Sequence, residues 1–560
     1  MCKAMETSDK GTMGASLTPG GEASEPRLRV LVLGDFSGAG GPEQTAARVD
    51  RSTFQELLGS LGPRLSFEVE DHLSGRSTPL RVEFAISELR DFTPAAIVQR
   101  VPALARATEV VASLSEASDP EARLAPVQEM EALCHAVRTS QAPPAAPPTD
   151  GSQDGAVGRI LDMVDLPGEG EPVRTAAVAA LDSFVSKVGS QRKTATRERT
   201  PTQADLLLGR QLDAILHHPE LQRAEATWRG LKLLVDRTDF RKGIQLELLD
   251  ARRETLADAF HQGVFLPEVE DFGQLPLALV VLDHPLTNSP GDLGLLETIG
   301  PEAEQIQAPV LFSVGTDFFG AQQGGRLPFI DTLLEQAEYT RWSALRDKSW
   351  ARWLAAATNR FLLRLPHEGE SPDALLWGNP VWAVASLVAA SFARVGWPTE
   401  LTGLEGGRIE DLPLPSGRHF PLETLLSQEL ANDLTAAGFI PLFSPAHSDA
   451  AFVLRAPTLH RAPRGGRLSS SLPYQLLAAR LATAVLGQRT GLAGKSSPEI
   501  QQTLERFASE LLADTGGGAR AAVAVSEDPD DPSRLVVSLD LRTGRRVLGG
   551  ARVELGFGVS

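Results

Sequence analysis

The residues best equipped for chemistry stand in four places. Residues 491–496 read GLAGKS and imitate the end of a phosphate-binding loop, where Gly-rich backbone cradles phosphates and Lys and Ser reach them. The complete pattern needs a glycine five positions before Gly494, yet Arg489 stands there, and no buried strand clearly precedes it. The stretch reads as a polar loop between helices. His217 and His218 are metal ligands by type, but adjacent residues on a helix point about 100° apart and cannot share one ion as an i, i+4 pair can. Helix-surface histidines are the expectation. Cys134 has only the neighbouring His135 to lower its pKa, and the other cysteine, Cys2, sits in a polar terminus, so no nucleophile, disulfide framework or metal cage is written here. The acidic run Glu527, Asp528, Pro529, Asp530 and Asp531 has loop composition without the spacing of a calcium loop. There is no G-x-S-x-G elbow either, so the expected catalytic, cofactor-binding and metal residues are none.

Elements that position no pocket must serve packing or assembly. At 560 residues, with 42% apolar and 22% charged residues, the chain has the composition of a folded protein with two or more cores. A net charge of −18 repels a phosphate backbone, which excludes nucleic acid as a main partner, and Arg241 with Lys242 or Arg545 with Arg546 read as solvated pairs. Residues 381–392 are too short for a membrane crossing and are closely followed by Arg394, so they read as a buried core helix and no membrane insertion is expected. No solenoid period and no secretory signal are visible, and the two cysteines fit a reducing, cytoplasmic setting.

Along the chain, residues 1–26 are a polar arm. Residues 27–33 (RLRVLVL), closed by Gly34 and Asp35, read as a buried strand. Phe54, Leu57, Leu58 and Leu61 fall at helical spacing, and alternation at Leu65, Phe67, Val69 and again at Leu80, Val82, Phe84 predicts two strands. Helices follow from Pro94, with Met130 and Leu133 on a later one. Residues 140–158 (SQAPPAAPPTDGSQDGAVG) are a Pro/Gly/Ser-rich linker, which divides the chain into a domain at 27–139 and one at 159–560. All seven tryptophans lie between Trp228 and Trp397, marking one aromatic-rich core. Residues 275–282 and 309–314 are buried strands, and Asn379 with Pro380 opens a helix, Asn as N-cap. Residues 521–525, 534–541 and 552–557 form a C-terminal β tail with turns at Asp530, Asp531 and at Gly549, Gly550.

Residues 29–38 (RVLVLGDFSG), 50–54 (DRSTF) and 80–102 (LRVEFAISELRDFTPAAIVQRVP) resemble, in order, the small contractile-sheath subunit of type VI secretion systems, the TssB or VipA type. Residues 211–237, with Trp228, Arg229 and Gly230, together with 308–312 (APVLF), 361–366 (FLLRLP), Trp377, Gly378, Asn379, 403–407 (GLEGG) and 438–442 (GFIPL), resemble the large subunit, the TssC or VipB type. The chain thus looks like both subunits joined through the linker. Most of these motif residues have a packing explanation as well: Trp228, Leu231 and Leu234 share a helix face, and Gly230 permits close approach.

The resemblance implies an α+β fold with α/β elements, in which mixed sheets carry flanking helices and terminal strands complete sheets between subunits. It implies a protomer that polymerises into a helical tube around an inner tube and contracts, or alternatively a cap, baseplate adaptor or regulator of the same fold; an enzyme using the acidic surface is the third reading. Partners would be further copies of the chain, an Hcp-type inner-tube protein, a baseplate and a disassembling AAA+ ATPase. Residues 444–472 look abbreviated against the family pattern, and the linker ties down the end that in the family can carry the ATPase recognition helix. The exchanged-strand candidates are Arg29, Val30, Leu31, Val32 and Leu33, and at the other end Ala551, Arg552, Val553, Glu554, Leu555, Gly556 and Phe557.

Overall fold

The run LRVLVLG at Leu28–Gly34 (β1) has no polar alternation apart from Arg29, and all seven residues are buried, as in a strand covered on both faces. The computed structural model describes residues 28–38, 46–73, 78–116, 203–270, 275–321, 327–367, 374–462, 468–488, 491–492, 494–527 and 535–559. Two compact units divide the chain: Met1–Pro63, Ala226–Arg364 and Trp377–Ser560 make the first, and Arg64–Glu225 with Leu365–Leu376 the second.

In the first unit β1 is joined by β2 (Ala47–Val49), β3 (Ile244–Asp250), β4 (Leu279–Leu286), β5 (Val310–Val314), β6 (Leu354–Thr358), β7 (Arg408–Ile409), β8 (Phe439–Phe443) and β9 (Ala451–Val453). The sheet order is β7-β9-β8-β6-β5-β4-β1-β3-β2. Neighbours from β8 through to β3 are parallel, and the outer strands are antiparallel to their neighbours. Beside other helices, such as Thr340–Arg346 and Gln428–Ala436, the unit contains α1 (Phe54–Leu61), α2 (Pro219–Arg237, in this unit from Ala226), α3 (Pro290–Ile306), α4 (Pro380–Val395), α5 (Leu472–Leu486) and α6 (Ser497–Ala513). The fold is mixed α+β with flanking helices. The buried helix read from residues 381–392 is α4, closed by Gly396 in the left-handed region at φ 76°.

The last three strands, β10 (Arg520–Glu527), β11 (Leu535–Arg542) and β12 (Arg552–Val559), form a separate antiparallel sheet with β11 in the middle. Its inner face presents Val523, Val537, Leu539, Leu541, Val553 and Leu555 to a core shared with Leu477, Leu481, Ile500, Leu504 and Leu512 of α5 and α6. GLAGKS lies in the connection between α5 and α6, where Ser496 and Glu499 form a capping box that starts α6.

In the second unit a hairpin pairs Arg64–Val69 with Leu80–Ala85, with strict in-out alternation on the first strand. The helices Pro94–Arg100, Pro102–Glu116 and Gln203–Leu216 accompany it. Gln211 accepts from the His72 backbone N–H and donates to the Glu70 carbonyl. His217 and His218 are not on a helix surface: they fall in the break between Gln203–Leu216 and α2, and His218 stacks on Phe67 with ring centroids 4.0 Å apart. That burial lowers its pKa.

Three further expectations need correction. The first is the linear division at residues 140–158: β1 and β2, which precede them, share one sheet with seven strands that follow them, because β1 fills the gap between β3 and β4. The second is the strand expected at 275–282, which is shifted to Leu279–Leu286. The third is the tight turn at Gly549 and Gly550, which is part of a longer connection, since Thr543 N–H donates to the Ala551 carbonyl and β12 starts at Arg552. The linker itself, Met130, Leu133, Cys134, His135 and residues 1–26 lie outside the described residues. Among the described residues no helix is long and apolar enough to cross a membrane.

Candidate assembly interface

Arg29, Val30, Leu31, Val32 and Leu33, taken from the sequence as an exchanged strand, are the centre of β1. The strand is hydrogen-bonded to β3 along one edge, Leu28 opposite Ile244 through Gly34 opposite Asp250, and to β4 along the other. With both edges occupied it has none to offer a neighbouring copy, and the assignment is corrected. Arg29 is not an interface residue either. Its guanidinium is buried between Glu247 (2.8 Å) and Glu268 (2.5 Å) and donates to the Leu275 carbonyl at 3.0 Å. Burial holds the Glu268 carboxyl above its ordinary pKa even beside this cation.

The other candidate end is placed differently. Arg552, Val553, Glu554, Leu555, Gly556 and Phe557 belong to β12, and Ala551 is buried just before it. Along one edge β12 pairs with β11, from Arg542 opposite Arg552 to Leu535 opposite Val559. Among the described residues its other edge has no strand partner, and neither has the outer edge of β10. Both edge strands are eight residues long. The edges of the large sheet, by contrast, are β2 with three residues and β7 with two. Very short edge strands are how a sheet avoids pairing with other chains, whereas long open ones invite it.

The residues singled out as a core motif are brought together around the large sheet. Trp228 is fully buried, donates from Nε1 to the Phe36 carbonyl at 3.1 Å, and meets the Phe36 and Phe54 rings edge-on. Arg229 is half-buried on the same helix. Gly230 faces Trp382 of α4, and a Cβ there would fall 2.3 Å from the indole nitrogen. A Cβ on Gly378 would fall 2.6 Å from Leu363, and Trp377 carries the Arg418 guanidinium 4.9 Å over its ring. Asn379 precedes α4 but does not cap it with its side chain, contrary to the expectation. Its Nδ2 donates instead to the Asp283 carboxylate at 2.6 Å, where Thr227 Oγ1 also donates at 2.6 Å.

Sequence reasoning missed Asp283. Its signal was a carboxylate set directly after an apolar run, which reads as the end of a strand. Burial raises its pKa to about 6. The neighbouring His284 is held neutral by burial while its Nε2 contacts the Ala251 carbonyl at 2.8 Å. Among the described residues no three His, Cys, Asp or Glu are grouped to hold a metal ion. What the C-terminal sheet offers is an edge strand whose outer edge has no strand partner among the described residues.

Known families recognise the two halves of this architecture separately. Residues 20–136 match the family model described as type VI secretion system, VipA, VC_A0107 or Hcp2, and residues 198–460 match the VipB model, described as EvpB/VC_A0108, tail sheath N-terminal domain. The chain belongs to the type VI secretion sheath family. Both matched ranges stop short of β10, β11 and β12. A curated member of the sheath family, the type VI secretion system sheath protein TssC1 of Pseudomonas aeruginosa, is 24% identical over 327 residues, covering 50% of this chain and 66% of that protein. The chain therefore spans just under two thirds of the length of this relative. Among solved structures, the anti-feeding prophage baseplate aligns at a TM-score of 0.36 with 10% identity, covering 66% of this chain and 83% of that one. The contracted helical sheath of the same prophage aligns at 0.35 with 11% identity, covering 59% and 77%.

Proposed function

We propose that this chain is a structural protomer of a type VI secretion contractile sheath, carrying the small and large subunits in one polypeptide. Copies polymerise into a helical tube around an Hcp-type inner tube, above a baseplate, in the cytoplasm, and contraction drives the inner tube outward. The role is structural, with no chemical step. The observation that carries this reading is the contrast in sheet edges: the large sheet ends in strands of two and three residues, whereas β10 and β12, eight residues each, have no strand partner on their outer edges among the described residues, where Tyr474 donates to the Arg552 carbonyl. A strand from the next copy laid along β12 would gain main-chain hydrogen bonds, the addition that edge strands permit. Contacts that join unlike surfaces generate filaments when they do not close. Contraction is then a rigid-body rearrangement of protomers whose paired strands keep the lattice connected. Disassembly by a AAA+ ATPase belongs to the same reading.

Negative-stain microscopy of the purified full-length chain tests it. Tubes are expected from the intact protein, and soluble particles without tubes from a truncation after Gly550. Discrete particles from the intact protein would point to a cap or adaptor of the same fold, and tubes from the truncated form would remove β12 from the mechanism.

A further inference from the structure

Strand register in the C-terminal sheet sets three arginines in one row, with Arg520 opposite Arg542 and Arg542 opposite Arg552. Directly paired residues project from the same face of a sheet, and all three are exposed. Arg545 and Arg546 follow in the connection to β12, also exposed. Like charges in opposed positions destabilise a sheet, so the row needs a compensating partner. Arg552 has one: it pairs in bidentate fashion with Asp540 (2.7 Å) and reaches Glu554 (2.9 Å). Arg520 and Arg542 make no ion pair among the described residues. An excess of positive charge therefore stands at one end of this sheet, in a chain whose net charge is −18.

Opposite charge follows the far end of β10 in the sequence. The strand that begins with Arg520 finishes at the exposed Glu527, and the sequence continues Asp528, Pro529, Asp530, Asp531. The length of β10 keeps Glu527 about 24 Å from the arginine row, roughly three screening lengths at physiological salt. Within one β10 strand, the two ends cannot neutralise each other.

We infer that the arginine row of Arg520 and Arg542 is the docking site for the acidic run at residues 527–531 of a second copy of this chain. The contact is head-to-tail between C-terminal sheets, and it deepens the polymer reading above, on which it rests. Guanidinium groups suit carboxylates because their fork geometry allows two parallel hydrogen bonds. A contact between two unlike patches can repeat from copy to copy, and it builds a filament where the rotation between copies does not close a ring.

The test is a charge swap in the full-length chain, with assembly followed by sedimentation and negative stain at low salt. R520E with R542E is expected to raise the protein concentration needed for half-assembly by about tenfold, and Lys at Glu527, Asp528, Asp530 and Asp531 to do the same. Combining both sets should restore assembly to near the wild-type concentration, a recovery that damaged folding would not give. R520Q with R542Q, read beside thermal unfolding, keeps the test sound if charge reversal disturbs the sheet. Assembly of either arginine variant at the wild-type concentration, or a combined variant no better than its parents, would overturn the inference while wild-type tubes leave the polymer reading standing. A wild-type chain that never assembles removes both.

Discussion

Asp283 sits in the middle of β4 with no solvent around it, held by Thr227 from α2 and by Asn379 from the start of α4. One carboxylate thus ties together residues beside both halves of the motif read from the sequence. Burial makes the native carboxyl keep its proton more tightly than the unfolded one, so between pH 3.8 and about 6 the native state binds more protons. Stability therefore falls as pH rises through that window and stays at the lower level above it, a difference of roughly 3 kcal/mol. Asp283→Asn cannot ionise, and the Thr227 hydroxyl can rotate to keep a bond to it. Chemical denaturation at intervals from pH 4 to pH 7 should show the variant gaining on the wild type across the window. The buried His284 pulls the other way, losing stability as pH falls below its unfolded value, but it does so equally in both proteins. Two curves that run parallel would sink the account of Asp283. The residue was illegible in the sequence because its role depends on α2 and α4 converging on the middle of one strand, which no local pattern records.

Strands differ in what their edges can tolerate. In β1 every backbone N–H points toward one occupied neighbour or the other, so Val32→Pro must break a ladder bond and should cost about 3 kcal/mol or more. In β12 successive N–H groups point alternately toward β11 and toward the open edge. Of Glu554→Pro and Leu555→Pro, one should therefore keep its fold by circular dichroism yet fail to assemble, while the other melts early. Equal folding losses in both would mean that the outer edge of β12 is already committed within the chain. Periodicity had made most strands legible: the alternation at Leu65, Phe67 and Val69 became Arg64–Val69, and the three C-terminal strands appeared within a residue or two of their expected bounds. Register did not. The pairing of Arg520 with Arg542 centres the hairpin on Asp531, whereas a turn on Asp530 and Asp531 pairs Arg520 with Leu541 and moves the arginines to opposite faces.

At the scale of the molecule, the composition shift at residues 140–158 falls in the gap between the two family matches, 20–136 and 198–460, but it does not mark a separable module. A sheet in which one interior strand comes from the N-terminal region and the strands on either side of it come from far downstream can be recognised only from its order, β4-β1-β3. The energetics follow from that order. Leu28, Val30, Leu31, Val32 and Leu33 are each nearly inaccessible, worth about 2 kcal/mol apiece on burial, and β1 also satisfies facing backbone groups on both neighbours. A protease site placed between residues 140 and 158 should therefore cut the covalent chain without separating its parts. The two fragments are expected to co-elute in size exclusion under native conditions and to part only in denaturant. The downstream fragment produced alone would leave β3 and β4 with a slot the width of one strand and should be insoluble, then recover when the upstream fragment is co-expressed. Fragments that drift apart in native buffer, with the downstream one still folded, would show that β1 is an accessory to this sheet and not an integral interior strand.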